Sequence, residues 1–230
     1  MNLPNLHQNI SRIRNRLSQA IDTAQRDQDS VKLIAVSKTK PVEAIKAVYD
    51  TGQRDFGENY VAEAIEKISA CKSLDICWHF LGPLQSNKTR LVAANFDWVH
   101  SVDRVKIAKR LNEQRPDELP PLKVCLQVNI PPEPTKSGIS SEAELLDLAL
   151  AVSKMDRLDL SGLMAIPAPT DDPARQREQF NRIAKLLTIP RLPKEMNELS
   201  MGMSGDMASA VAEGATMVRI GTDIFGARYY

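Results

Sequence analysis

Lys38 ends a short apolar run, LIAV at 33–36 followed by Ser37, in a chain of 230 residues. Strand alternation puts Lys38, Val36 and Ile34 on one face and Ser37, Ala35 and Leu33 on the other. Burial at such a strand end disfavours the charged amine and lowers its pKa. A neutral amine attacks an aldehyde to form a Schiff base. The bland alternative is a solvated lysine, because most lysines are exposed.

The second group lies near the C-terminus. SMGMSGDM (200–207) and RIGTDIFG (219–226) both place Gly, Ser or Thr at the ends of apolar runs. Glycine lets backbone approach a ligand, and N–H groups at a helix start receive anions. The hydroxyls of Ser204 and Thr222 add donors, so the chemistry these stretches suit is phosphate binding. Each stretch alone is an ordinary glycine-rich turn. Arg219 stands between Val218 and Ile220, and an arginine in an apolar strand needs a partner. That partner is either an inward carboxylate or a ligand heteroatom. Asn59, at the end of FGEN, either hydrogen-bonds a ligand or caps the next helix.

Other polar residues carry less. His79, between Trp78 and Phe80, reads as a hydrogen-bonded core residue. His7 and His100 show no pattern, and no two histidines have metal spacing. Glu58 and Asp206 are acids that nothing in the sequence pairs. No nucleophile elbow, Walker loop or GxGxxG is present. Cys71, Cys77 and Cys125 fit no zinc spacing and read as small apolar residues of a reduced, cytoplasmic protein.

The elements that must position these residues alternate. Leu6, Ile10, Ile13, Leu17 and Ile21 form one stripe of a helix from Asn5 to about Gln28. Strand candidates follow at 32–38, 54–59, 76–82, 96–102, 122–130, 158–166, 198–204 and 216–226. Each is followed by a helical stretch except the last, which runs to the chain's end. Regular β–α alternation predicts a parallel sheet with helices outside. Eight units predict a closed (β/α)8 barrel of the TIM type with an additional N-terminal helix; an open doubly wound sheet is the competing α/β fold. A barrel places PPEPT (131–135) and PAPTDDP (167–173) among the loops of its C-terminal face, where sites form. No linker or composition shift divides residues 1–230, which are read as a single domain.

Hydrophobic residues make up 43% and charged residues 26%, with a net charge of +1. No basic excess points to nucleic acid. No stretch reaches the roughly 18 apolar residues of a membrane span, and the polar N-terminus lacks the apolar core of a signal peptide.

Six segments in order carry a resemblance: IAVSKTKP (34–41), FGENYVAEA (56–64), WHFLGPLQSNK (78–88), GLMAIP (162–167), SMGMSGDM (200–207) and VRIGTDIFGAR (218–228). They resemble the pyridoxal 5′-phosphate (PLP) homeostasis protein family. The resemblance implies a PLP-binding barrel similar to the N-terminal domain of alanine racemase. It implies a Schiff base (the internal aldimine) on Lys38, Asn59 near the cofactor, and a phosphate cradle of Ser204, Gly221 and Thr222. It places Arg219 against the pyridine nitrogen and Met203 and Met164 along the site. Gly205 departs from relatives that carry a larger polar residue there, which loosens that loop. The chain stops at Tyr230, short of the basic tail of some relatives.

Racemases similar to this barrel carry a second, β-rich domain and a tyrosine from the partner subunit as opposite-face base. Tyr49, Tyr60, Tyr229 and Tyr230 lie outside the motifs that would replace it. Racemisation needs proton transfer on both faces, and one lysine serves one. The expectation is a monomeric cytoplasmic protein that holds or delivers PLP to apo-PLP enzymes, binding no nucleic acid or membrane and running no defined reaction. An amino-acid racemase of undetected substrate is the alternative.

Overall fold

In β1 (Lys32–Val36), Leu33 and Ala35 pack under the surrounding helices, whereas Ile34 and Val36 pack with Leu81, Trp98, Cys125, Met164 and Met217 on the axis of the molecule. That period of two produces two apolar layers in a (β/α)8 barrel. The computed structural model describes residues 3–129 and 137–226. Its strands continue with β2 (Asp55–Glu58), β3 (Cys77–Phe80), β4 (Trp98–Val102), β5 (Leu122–Val128), β6 (Leu158–Ala165), β7 (Glu198–Ser200) and β8 (Met217–Ile220). All pair in parallel in chain order, and β8 closes on β1 through Ile34↔Arg219 and Ala35↔Ile220. The open-sheet alternative is therefore excluded.

Helices α1 (Leu3–Thr23), α2 (Val42–Tyr49), α3 (Val61–Ala70), α4 (Thr89–Asn95), α5 (Val105–Gln114), α6 (Glu142–Val152), α7 (Pro173–Leu186), α8 (Met207–Ala212) and α9 (Thr222–Phe225) surround the barrel. The stripe Leu6, Ile10, Ile13, Leu17 and Ile21 is buried as its spacing predicts. Helix α1 packs against α2, α8 and α9, which makes it the additional N-terminal helix. It stops at Thr23 rather than Gln28: Gln25 adopts φ +54°, and Gln28–Ser30 form a separate 3₁₀ turn.

Strands are shorter than the sequence reading. The run 198–204 leaves the sheet after Ser200, and Gly202 turns the chain at φ +96°. A Cβ there would meet the Ala210 methyl at 2.6 Å, so only glycine fits. The run 216–226 is likewise two elements, with β8 ending at Ile220 and α9 following. The expectation that the last strand lacks a helix is corrected: Ile224 and Phe225 are buried as a helical turn. The PPEPT loop, the end of the 122–130 strand and Tyr229 and Tyr230 lie outside the described residues.

Candidate functional site

Lys38 sits at the second position of a turn closed by the Lys40 amide donating to the Ser37 carbonyl at 3.0 Å. Thr39, at the third position, takes a left-handed φ of +63°. This turn leaves the C-terminal end of β1, and Lys38 is half-buried. Both neighbours of the lysine are anchored from behind. The Ser37 hydroxyl donates to Glu58 Oε1 at 2.7 Å, and the Thr39 amide donates to Glu63 Oε1 at 2.5 Å. Lys67 of α3 donates to Ser37 O and Glu58 Oε1, each at 2.7 Å, and to Glu63 Oε1 at 2.5 Å. Burial raises the Glu58 carboxyl above its usual range, although Lys67 opposes that shift. Sequence reasoning left Glu58 unpaired. The signal it passed over was Glu63 and Lys67 at i, i+4 on the predicted helix.

Asn59 follows β2 on the same side of the alternation as Asp55 and Gly57. Helix α3 begins after Tyr60, with no side-chain cap. The capping reading of Asn59 therefore fails, and Asn59 instead lines a cavity of about 270 Å³ with Leu81, Pro83, Gln127, Val128, Ser137 and Ile166.

Arg219 is 6% exposed in β8, next to Ile34 of β1. Its Nη1 donates to Ser200 Oγ at 2.8 Å and its Nη2 to the Ala165 carbonyl at 2.9 Å. No carboxylate among the described residues forms an ion pair with it. Burial lowers its pKa to about 10, opposed mainly by the charge of Asp206. Asp206 accepts the Met203 amide at 2.5 Å and is itself raised by burial.

Gly221 immediately precedes α9, so the first-turn amides of Thr222 and Asp223 have no carbonyl one turn back to receive them. Thr222 is exposed, Ser204 half-buried and Met203 40% exposed; Met164 is buried on the barrel axis. Arg16 of α1, a residue the sequence reading did not select, ties these loops together. It donates to Asp223 Oδ2 at 2.7 Å and to the Ser204 carbonyl at 2.9 Å. Gly205 lies in open space, so a larger residue fits there without rearrangement.

The topology thus lines up the loops after β7, β8, β1 and β2, which are consecutive neighbours around the closed sheet. They offer an amine to a carbonyl, amides and hydroxyls to an anion, and a buried cation to a ring heteroatom. That donor set fits PLP. His79 is a fully buried, hydrogen-bonded residue, as its apolar neighbours suggested. His100, dismissed from sequence, is its partner. Asp55, Cys77 and His79 bring one potential metal-ligand atom each within 4.8 Å of one another. Lys32 Nζ lies 3.2 Å from the same Asp55 oxygen, and burial pushes the Cys77 thiol up to about 12, so the environment disfavours a cation.

The family described as alanine racemase, N-terminal domain, matches residues 1–229. A protein of Pasteurella multocida named pyridoxal phosphate homeostasis protein is 53% identical over 230 residues, covering 98% of each chain. One of the same name from Escherichia coli K12 is 52% identical over 227 residues, covering 96% of each. The solved structure of PipY from Synechococcus elongatus with PLP bound superposes with a TM-score of 0.78 at 40% identity, over 91% of this chain and 100% of that one. Alanine racemase from E. faecalis gives a TM-score of 0.71 at 19% identity, over 99% of this chain and 59% of that one, a likeness of fold alone. The chain belongs to the pyridoxal phosphate homeostasis protein family, within the wider alanine racemase N-terminal domain family.

Proposed function

We propose that this protein binds PLP at the C-terminal face of its barrel, as a Schiff base on Lys38, and holds or delivers the cofactor as part of PLP homeostasis. The observation that carries this reading is the closure of β8 on β1, which makes the Lys38 turn a neighbour of Arg219 and the first turn of α9. The names of relatives at 50% identity and above support it, as does the PLP-bound PipY structure. In this reading Ser204, Gly221 and Thr222 receive the phosphate, and Arg219 faces the ring nitrogen. Asn59 and Met203 border the ring. The whole chain serves as one PLP-binding unit. Bound PLP supplies an electrophilic carbonyl; the protein's part is to present the amine, neutralise the phosphate and limit the ring's protonation.

A permanent cation beside the ring nitrogen disfavours protonation there, because like charge disfavours the charged form. The ring is then a weaker electron sink, which suits holding the cofactor over transforming an amino acid. The distant racemases share the fold and do not favour the racemase alternative. No helix among the described residues is long and apolar enough to cross a membrane. A cytoplasmic monomer serving apo-PLP enzymes completes the reading.

The test has two parts. Borohydride reduction of PLP-loaded protein should fix the cofactor on Lys38 by peptide mapping, and Lys38→Ala should lose the adduct while remaining folded. Loaded protein mixed with an apo-PLP enzyme and a PLP trap should restore that enzyme. An adduct mainly on Lys40 or Lys136 sinks the site, and trapping that abolishes reactivation sinks direct delivery.

A further inference from the structure

A continuous row of hydrogen bonds crosses the apolar centre of the barrel and ends on Arg219. His79 Nε2 lies 2.9 Å from Asp55 Oδ1, His79 Nδ1 2.9 Å from His100 Nε2, and His100 Nδ1 2.7 Å from Ser200 Oγ. Ser200 Oγ in turn receives Arg219 Nη1 at 2.8 Å. Both imidazoles are completely buried, and Trp98 stacks on His79 with ring centroids 5.7 Å apart. These residues come from β2, β3, β4, β7 and β8, so only the closed sheet assembles them.

The proton inventory gives the row one direction. A neutral imidazole carries one N–H, and an ionised carboxylate only accepts. Asp55 therefore takes the Nε2 proton of His79. The Nδ1 of His79 is then an acceptor and must receive the Nε2 proton of His100. The Nδ1 of His100 is likewise an acceptor and must receive the single hydroxyl proton of Ser200. The oxygen lone pairs of Ser200 are left for Arg219. Every donor points toward Asp55, and every acceptor end points back toward the guanidinium. The cation is thus contacted by oriented neutral groups, the row itself ending on a carboxylate at the start of β2, while Asp206 supplies charge without touching it.

We propose that Asp55, His79, His100 and Ser200 are positioning residues for the PLP ring: they hold Arg219 charged and oriented without a contacting carboxylate. An ion pair at the same place would cancel the charge that the ring nitrogen meets; the relay through two imidazoles and a hydroxyl does not. This inference rests on the placement of Arg219 against the ring in the function proposed above.

The groups facing the row support neutral imidazoles. Burial lowers the pKa of His79, opposed by Asp55 and Asp97 and assisted by Lys32. Burial lowers that of His100 further, with His79, Arg219 and Lys32 adding to the effect. Cys77 Sγ lies 3.4 Å from His79 Nε2 as an un-ionised thiol. Cys125 and Asp206 are the remaining titratable groups that bear on Arg219.

The first experiment needs no cofactor. Nitrogen-resolved imidazole NMR of the PLP-free protein should show His79 and His100 as neutral Nε2–H tautomers, unchanged between about pH 5.5 and 8. A charged ring or an Nδ1–H tautomer at either position overturns the directed row. The second uses PLP-loaded protein and the pH midpoint of its visible absorbance band. Ser200→Ala should move that midpoint by about one unit, a tenfold change in proton affinity, whereas Ser200→Thr, which keeps the hydroxyl, should restore it. If Arg219→Gln moves the midpoint and Ser200→Ala does not, the row has no influence on the ring and the proposal fails. If Arg219→Gln has no effect either, the ring placement fails and takes the proposal with it, while the NMR result still stands for the row itself.

Discussion

Lys67 Nζ sits 2.7 Å from Glu58 Oε1 behind the Lys38 turn, with the lysine side chain 6% exposed and the glutamate side chain fully buried. The pair does two things at once. It neutralises two charges that the layer between barrel and helix could not hold singly, and it ties the Ser37 backbone to α3. Lys67→Met leaves Glu58 buried beside Ser37 without its cation. Breaking such a pair should cost about 3–5 kcal/mol, read from urea unfolding. The double variant Lys67→Met with Glu58→Leu should recover part of that loss. Borohydride trapping on Lys38 should fall in the single variant, because the turn loses its anchor. Unchanged stability in Lys67→Met would mean that water replaces the ammonium and that the turn needs no clamp.

The glycines near Asn59 and Ser204 should behave in opposite ways. A Cβ on Gly82 would lie 2.1 Å from the Asn59 carbonyl oxygen, whereas one on Gly205 meets nothing within 4 Å. Backbone cannot yield as a flexible side chain does, so Gly82→Ala must push apart the ends of β2 and β3. The expected loss is about 1–3 kcal/mol, as for overpacking, together with weaker PLP retention through Asn59. Gly205→Ala should change stability by less than about 0.5 kcal/mol. Thermal melts and equilibrium dialysis of both variants check the contrast, and equal melting points would contradict it.

Stability should fall as the solution is acidified through the histidine range. Burial holds the pKa values of His79 and His100 below the ordinary value. In the unfolded chain each titrates near pH 6.5. Below that pH the unfolded state binds more protons than the folded one, so stability decreases by up to about 1.4 kcal/mol per pH unit for each histidine. Asp55 acts in the same direction at lower pH. Burial alone would raise its pKa, but the hydrogen bond from His79, with the charge of Lys32, holds it below the usual value. Its contribution is lost as pH falls through that depressed pKa. Urea titrations at about pH 7.5, 6.5 and 5.5 should show the decline, and His100→Phe should roughly halve its slope. An equally steep decline in that variant would assign the effect to other groups.

Much of this was legible in the chain because local pattern and burial agree. The 3–4 spacing in α1 and the period of two in LIAV translate directly into buried faces. The strand–helix alternation made the barrel readable, and the barrel placed the Lys38 turn beside the end of β8. Other features depend on the sheet's curvature. His79 and His100 are 21 positions apart, yet adjacent strands and inward alternation set their rings in contact. No periodicity marks that pairing: His79 read as a hydrogen-bonded core residue without a named partner, and His100 showed no pattern. Arg219 had two open readings because a sequence does not show what an inward arginine meets. Inside the barrel it meets Ser200 and the Ala165 carbonyl, two partners that neither reading named. The end of β8 was misread because TDIF is too short for periodicity to separate strand from helix.

Arg219 and the anion-binding loops should separate into two roles within one site. The phosphate is a dianion near neutral pH, and the groups proposed for it are a half-buried Ser204, an exposed Thr222 and the first-turn amides of α9. Hydrogen bonds to charged groups contribute roughly 1.5–3 kcal/mol each. Removing both hydroxyls by Ser204→Ala with Thr222→Ala should therefore weaken PLP retention at least tenfold, since about 1.4 kcal/mol is one decade. The amides remain, so binding should not vanish. Arg219 differs because its guanidinium already spends donors on Ser200 and Ala165 inside the barrel. Arg219→Gln should affect retention less and mainly shift the absorbance band of bound PLP and its pH dependence. Circular dichroism must first show that both variants are folded, because Arg219 is buried and its loss removes the donor to the Ser200 oxygen and to the Ala165 carbonyl. Dissociation constants from dialysis and spectra across pH then decide between the roles. Greater loss of PLP from Arg219→Gln than from the double variant would place the main anchor on the ring side and reverse the assignment.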